Sequence, residues 1–275
     1  MSWLAVRVAG ASETTRNAIA AALIEAGAAC VQEEHEDLVT YLPDDAALDA
    51  VRSAVAEDED AILEVREAPA TEVDRPWPST VGASHAGRFV VVPPWLKAEG
   101  NEGDLVIVID PAMAFGTGEH PTTRGVLRLM SQVVKPGDRV ADLGAGSAVL
   151  SIGAALLGAS RVAAIEMDAD AIGNADENVR ANGVSDCVVV IEGDAEALLP
   201  HVAPVRVVIA NIISSVLISL LPEARCALTS DGAAIFSGIL REEREAFMVA
   251  LAADGWRAEQ EDIEDAWWTV VARPS

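Results

Sequence analysis

The stretch RVADLGAGSAVLSIGAALLGASRVAAIEMD, residues 139–168, decides the fold. An apolar run ends in Asp142, a turn containing Gly144 and Gly146 follows, and an alanine-rich helical pattern leads to a second apolar run ending in Glu166. That is the pattern of a strand, a tight turn, a helix and a parallel strand. The turn needs glycine for room. Glycine admits positive φ and lets a ligand approach the backbone where the next helix presents unpaired N–H groups. A carboxylate closing the second strand, as Glu166 does about twenty residues later, is placed to accept hydrogen bonds from two ribose hydroxyls. The half-unit therefore points to an adenosine-containing ligand; the alternative is a turn that only packs helix on sheet.

Two such ligands compete for the pocket, a dinucleotide and S-adenosyl-L-methionine. The dinucleotide fingerprint wants a third glycine three residues after the second, and Val149 stands there. Asp142 would repel a pyrophosphate but suits the ammonium or sulfonium of a methionine moiety. The methyl donor fits better.

Outward from this unit the alternation is regular. Residues 139–143, 161–166, 187–192, 205–210 and 233–237 are expected strands, and 147–157, 169–182, 214–228 and 241–254 expected helices. Near-continuous apolar strands separated by helices imply a parallel sheet covered on both faces. Residues 256–261 and 267–272 lie too close for a crossover and should pair antiparallel. The fold class is α/β: a doubly wound, mostly parallel seven-stranded sheet of the methyltransferase type. Asp194 follows its third strand, where a carboxylate either accepts the adenine amino group or caps the next helix. Asn211 follows the fourth, beside the expected position of the transferring methyl or as a turn residue.

Residues 1–68 read βαββαβ, a small ferredoxin-like α+β domain, with Ser12 expected to cap its first helix. It holds no catalytic constellation, and His35 falls in a charged turn, so a substrate-recognition role is the default. Residues 69–87 are rich in Pro, Gly, Ser and Thr and read as a linker, with Trp77 between prolines either an anchor that fixes the two domains or part of a surface that meets the partner. Residues 88–275 form the donor-binding domain, whose first strands are expected at 89–92 and 105–109.

The chain carries 44 Asp plus Glu against 19 Lys plus Arg, a net charge of −25, and its lysines are Lys97 and Lys135. Direct nucleic-acid binding is disfavoured, because phosphate neutralisation needs clustered cations. A basic protein partner would be attracted, or the acidity adapts the surface to a salty cytoplasm. No long apolar run or signal-type start is present, so a cytoplasmic location without membrane contact is expected. Cys30, Cys187 and Cys226 form no CxxC pair, so neither a disulfide framework nor a metal site is expected.

Three motifs together, DPAMAFGTGEHPTTR (110–124), DLGAGS (142–147) and ANI (210–212), resemble the PrmA family, methyltransferases that modify large-subunit ribosomal protein L11. The resemblance runs from about Trp77 to the C-terminus, and the N-terminal module suits that family's recognition domain. It implies that Thr123, Gly144 and Asn211 contact the donor, and that Glu166 stands where the family has aspartate. The loop of Phe115, Gly116 and Thr117 would close over the methionine end. Ala148 departs from the family's usual glycine. His120 is either a general base or a support for the loop.

The implied reaction is amine attack on the methyl carbon of a sulfonium, for which the protein positions reactants and selects a neutral amine. A lysine of pKa about 10.4 costs roughly 4 kcal/mol to deprotonate near pH 7.5, and an α-amine of pKa about 8 costs under about 1 kcal/mol. Carboxylates around the amine would raise both pKa values, so Asn211 and backbone carbonyls are better suited to orient it. Two other readings stay open. One is a methyltransferase of this fold acting on another protein amine or a small molecule; the other is a donor-binding scaffold without catalysis.

Overall fold

The structure, a computed structural model, describes residues 3–28, 31–34, 37–43, 46, 48–58, 60–68, 82–97, 100–101, 103–110 and 118–275. The chain divides into two compact units, Met1–Pro78 and Ser79–Ser275. His35, Trp77, Phe115, Gly116 and Thr117 lie outside the described residues.

In the first unit β1 (Trp3–Ala9), α1 (Glu13–Glu25), β2 (Gln32–Glu34), β3 (Asp37–Pro43), α2 (Asp49–Val55) and β4 (Ile62–Ala68) follow the expected order. The sheet runs β2-β3-β1-β4, and every pairing is antiparallel. This is the ferredoxin-like arrangement. Alternation along β1 and β3 turns Val6, Val8, Leu38 and Leu42 inward against Ile19 and Leu23 of α1 and Val51 and Val55 of α2. Ser12 occupies the N-cap position of α1 without capping through its side chain. Asp58 joins the two helices instead, accepting from Ser12 N at 2.8 Å and Thr15 Oγ1 at 2.5 Å. The hydroxyl of Thr15 and the backbone of Ser12 hold that carboxyl below its ordinary range.

The second unit opens with a small sheet of β5 (Ser84–Ala86), β6 (Phe89–Val92) and β7 (Leu105–Val108), in which β6 and β7 are parallel. Residues 84–86 thus pair as a strand within the stretch expected to be linker. The helix α3 (Pro121–Val133) follows, with proline at its first position, where a missing N–H costs nothing.

The main sheet contains β8 (Arg139–Leu143), β9 (Arg161–Glu166), β10 (Val188–Glu192), β11 (Val205–Asn211), β12 (Leu228–Leu240), β13 (Trp256–Glu264) and β14 (Trp267–Pro274). Its order is β10-β9-β8-β11-β12-β14-β13. The first five strands are parallel, and β14 is antiparallel to both β12 and β13. The terminal hairpin therefore joins the sheet by its second strand. The helices α4 (Val149–Leu156), α5 (Ala169–Ala181), α6 (Ala195–Val202), α7 (Ser214–Ala227) and α8 (Arg244–Ala253) complete the chain. α4 starts two residues later than its pattern predicts because Ala148 adopts a left-handed φ of 65°.

Alternate residues of each strand feed two cores. Val140, Val162, Val207 and Ile209 pack with α3, α4 and α5, while Ala141, Leu143, Ile165 and Val208 pack with α6, α7 and α8. Covering both faces leaves the carboxyl ends of the parallel strands as the open edge, where a crevice forms. Among the described residues no helix is long and apolar enough to cross a membrane.

Candidate active site

A cavity of about 740 Å³ runs along that edge, and its walls come from the ends of successive strands. Gly193 and Asp194 follow β10, Glu166 ends β9 and Met167 follows it, Gly144 and Gly146 follow β8, and Asn211 ends β11, with Ile212 and Ile213 after it. Gly238 of β12, Trp267 at the start of β14, and His120 and Thr122 at the start of α3 close the opposite end. Of the residues proposed from sequence, Gly144, Gly146, Glu166, Asp194, Asn211 and His120 meet here. Thr123 and Asp142 are fully buried and do not line the cavity.

Glycine is required at two points of the wall. Gly144 has φ 71°, and a Cβ there would stand 2.6 Å from Ile212 Cγ2. Gly238 has φ 82°, and its Cβ would fall 2.4 Å from the carbonyl oxygen of Ile212. The 212–213 segment is thus seated against two bare backbones. Gly238→Ala forces either a left-handed alanine against a carbonyl or displacement of that segment. It is expected to lower stability by about 2 kcal/mol, read by calorimetry, and to weaken donor binding.

Glu166 is buried, and its carboxylate is organised by backbone. Oε1 accepts from Met167 N at 2.8 Å and Asp168 N at 2.9 Å, and Oε2 accepts from Gly146 N at 2.8 Å. A carboxylate has about four lone-pair sites, so this pattern leaves about one, on Oε2, for a ribose hydroxyl. The sequence reading of two hydroxyl contacts therefore requires sharing with the backbone donors. The extra methylene of glutamate lets the group reach back to the Gly146 turn from the end of β9.

Asp194 caps α6 and stands at the cavity wall. Its Oδ1 accepts from Ala197 N at 3.1 Å. Asn211 makes no side-chain hydrogen bond among the described residues, so its amide is available to a ligand.

His120 caps α3. Its Nδ1 accepts from Thr122 N at 3.4 Å and lies 2.7 Å from Thr122 Oγ1, while its ring meets Trp267 edge-on at a centroid distance of 4.9 Å. Burial, aided by the charge of Arg124, lowers its pKa. An imidazole that is neutral and accepts at Nδ1 carries its proton on Nε2 and is not set up to take another there. These contacts tie the ring to the start of α3 and to Trp267.

Asp142 lies under the turn with Oδ2 accepting from Ser151 Oγ at 2.7 Å, while the buried Oδ1 has no hydrogen-bond partner among the described residues. Burial pushes its pKa up to about 7. The native state therefore holds a proton that the unfolded chain releases at lower pH. That stabilisation is complete below the ordinary carboxyl pKa and is lost as pH rises through about 7. Asp142→Asn is expected to flatten the decline of Tm between roughly pH 4 and 7, measured by calorimetry at several pH values. The bare-backbone turn of Gly144 and Gly146 and the acceptor site left on Glu166 fit an adenosine-bearing ligand lying along the strand ends.

Thr122, Met167, Ile212, Ile213, Val216, Gly238 and Trp267 line the cavity without having been picked out from sequence. Thr122 lay in the quoted motif and Ile212 in ANI, but nothing local marks Trp267, which arrives with the terminal hairpin.

The family model described as ribosomal protein L11 methyltransferase (PrmA) matches residues 38–275. The ribosomal protein L11 methyltransferase of Pelotomaculum thermopropionicum is 43% identical over 187 residues, covering 68% of this chain and 60% of that protein. Its counterpart in Heliobacterium modesticaldum is 41% identical over 198 residues, with 72% and 62% covered. The crystal structure of ribosomal protein L11 methylase from Lactobacillus delbrueckii subsp. bulgaricus superposes with a TM-score of 0.63 at 27% identity. That superposition covers 70% of this chain and 99% of the other. The chain spans about three fifths of the length of the curated relatives it matches.

Proposed function

The chain belongs to the ribosomal protein L11 methyltransferase (PrmA) family, and from that premise we propose that it transfers methyl groups from S-adenosyl-L-methionine to amino groups of ribosomal protein L11, in the cytoplasm. The observation that carries this reading is a cavity with a backbone-held carboxylate, Glu166, near one end and the amide of Asn211, unengaged among the described residues, toward the other. Bound there, the donor supplies an electrophilic methyl on a sulfonium. Glu166 takes a ribose hydroxyl, and Asp194 stands near the adenine, with Gly144 and Gly146 giving close approach. Asp142 and Thr123, buried outside the cavity, back its wall from beneath the glycine turn and from within α3.

The acceptor enters from the His120–Trp267 side. Asn211 orients its nitrogen through the amide oxygen and adds no charge, so the amine loses its proton without a carboxylate holding it. His120 keeps the start of α3 in place. No strong base is needed, because the nitrogen attacks as the free amine.

Incubating the purified chain with S-adenosyl-L-methionine and unmodified ribosomal proteins, followed by intact-mass analysis, tests the reading. Gains in steps of one methyl group on L11 alone are expected. Transfer to another protein, or donor binding without transfer, would replace it with one of the two other readings. The 1–68 unit is assigned to substrate recognition, joined by the segment ahead of β5 to the donor-binding domain. Its removal is expected to abolish transfer to L11 while S-adenosylhomocysteine still binds; undiminished transfer by the shortened chain would refute that assignment.

A further inference from the structure

The acceptor end of the cavity is held by charges that lie outside it. Arg124 and Arg128, one turn apart on α3, reach Glu264 and Asp262 on β13. Arg124 Nε donates to Glu264 Oε1 at 2.8 Å, and its Nη2 donates to the same oxygen. Arg128 forks onto Asp262, with Nε to Oδ2 at 2.8 Å and Nη2 to Oδ1 at 2.5 Å, and Nη2 also reaches Glu264 Oε2 at 2.6 Å. Gly125 lets the helix come this close, since a Cβ there would stand 2.6 Å from Thr269 Oγ1. A second tie lies deeper: Ser237 Oγ is 2.7 Å from Thr269 Oγ1 and donates to the Thr122 carbonyl at 3.4 Å. The start of α3 and the β13–β14 turn are thus joined twice. His120 and Trp267, in edge-to-face contact, sit beside those joints at the cavity wall.

We propose that the Arg124–Glu264–Arg128–Asp262 cluster is a positioning element for methyl transfer, which sets the spacing of His120 and Trp267 and so the passage by which the acceptor amine reaches Asn211. The role rests on the function proposed above. The four side chains keep between 20% and 28% of their surface in water, a setting in which ion pairs add little to global stability. Forked arginine–carboxylate pairs nevertheless fix orientation, and misplacement of a reacting group is costly even when small. The carboxylates also cancel two guanidinium charges beside the entrance. Without Glu264, Arg124 would repel a cationic acceptor and push the His120 pKa further down.

The test uses the full chain saturated with S-adenosylhomocysteine. The His120 imidazole protons, identified by their loss in His120→Gln, are shifted by the Trp267 ring, and Trp267→Leu gives the unshifted position. Glu264→Gln and, independently, Asp262→Asn are expected to move the resonance toward that position. Both should raise KM for L11 about tenfold while S-adenosylhomocysteine affinity and Tm stay near those of the parent. A His120 resonance unmoved in both variants would overturn the inference. So would loss of Tm and S-adenosylhomocysteine affinity in step with activity, which is the mark of a purely structural cluster. Failure of the parent chain to methylate L11 would instead sink the functional reading, and the His120 resonance would still decide whether the cluster sets this wall.

Discussion

Glu166→Gln is expected to weaken S-adenosylhomocysteine binding by about a hundredfold, measured by titration calorimetry, with little change in secondary structure. Three backbone N–H groups converge on this carboxylate, from Gly146, Met167 and Asp168. An amide has only one accepting atom, so whichever way it turns, its NH₂ faces at least one of these donors. If the amide oxygen satisfies Met167 and Asp168, the NH₂ meets Gly146 N and the remaining acceptor for a ribose hydroxyl is gone. If it satisfies Gly146, two N–H groups are left without a partner. Either loss involves charge-assisted bonds of about 1.5–3 kcal/mol each, which covers the stated factor. Unchanged affinity would remove Glu166 from the donor site, and Glu166→Asp, one methylene shorter, should fall between the two.

Asn211→Ala is expected to reduce the single-turnover rate of methyl transfer to L11 by about a hundredfold or more, with S-adenosylhomocysteine affinity changed by less than about tenfold. The argument rests on availability. Asn211 ends β11 in register with Ser237 of β12, which fixes its backbone, while its side chain lines the cavity and engages no other described residue. An uncommitted amide in this position can orient an amine without adding the charge that would keep it protonated. Loss of rate that merely tracked loss of donor affinity would make Asn211 a binding residue alone. Asn211→Asp distinguishes further: it keeps an acceptor but holds the amine protonated, so its rate should recover as pH is raised.

Much of this was legible in the chain. The near-continuous apolar runs and the helical runs from residue 139 onward predict the order of strands and helices of the main sheet, because such apolar runs can be satisfied only by burial on both faces. The positions of Gly144, Gly146 and Glu166 follow from the same unit, since a strand end, a turn and a helix start are local events governed by neighbouring residues. The antiparallel N-terminal module was likewise written in its βαββαβ order.

What the tertiary structure alone decided are relations between distant surfaces. Local pattern shows that two terminal strands pair, but not that β14 rather than β13 lies against β12; that choice depends on which faces bury Trp268 and Val270. It places Trp267 at the cavity. The ion pairs of Arg124 and Arg128 join residues 134 to 140 positions apart, and no local periodicity encodes such a partner. The buried oxygen of Asp142 and the three donors on Glu166 appear only once the turn has closed around them. Propensity and periodicity act over a few residues, whereas desolvation and hydrogen-bond satisfaction are settled by whatever the completed fold brings alongside.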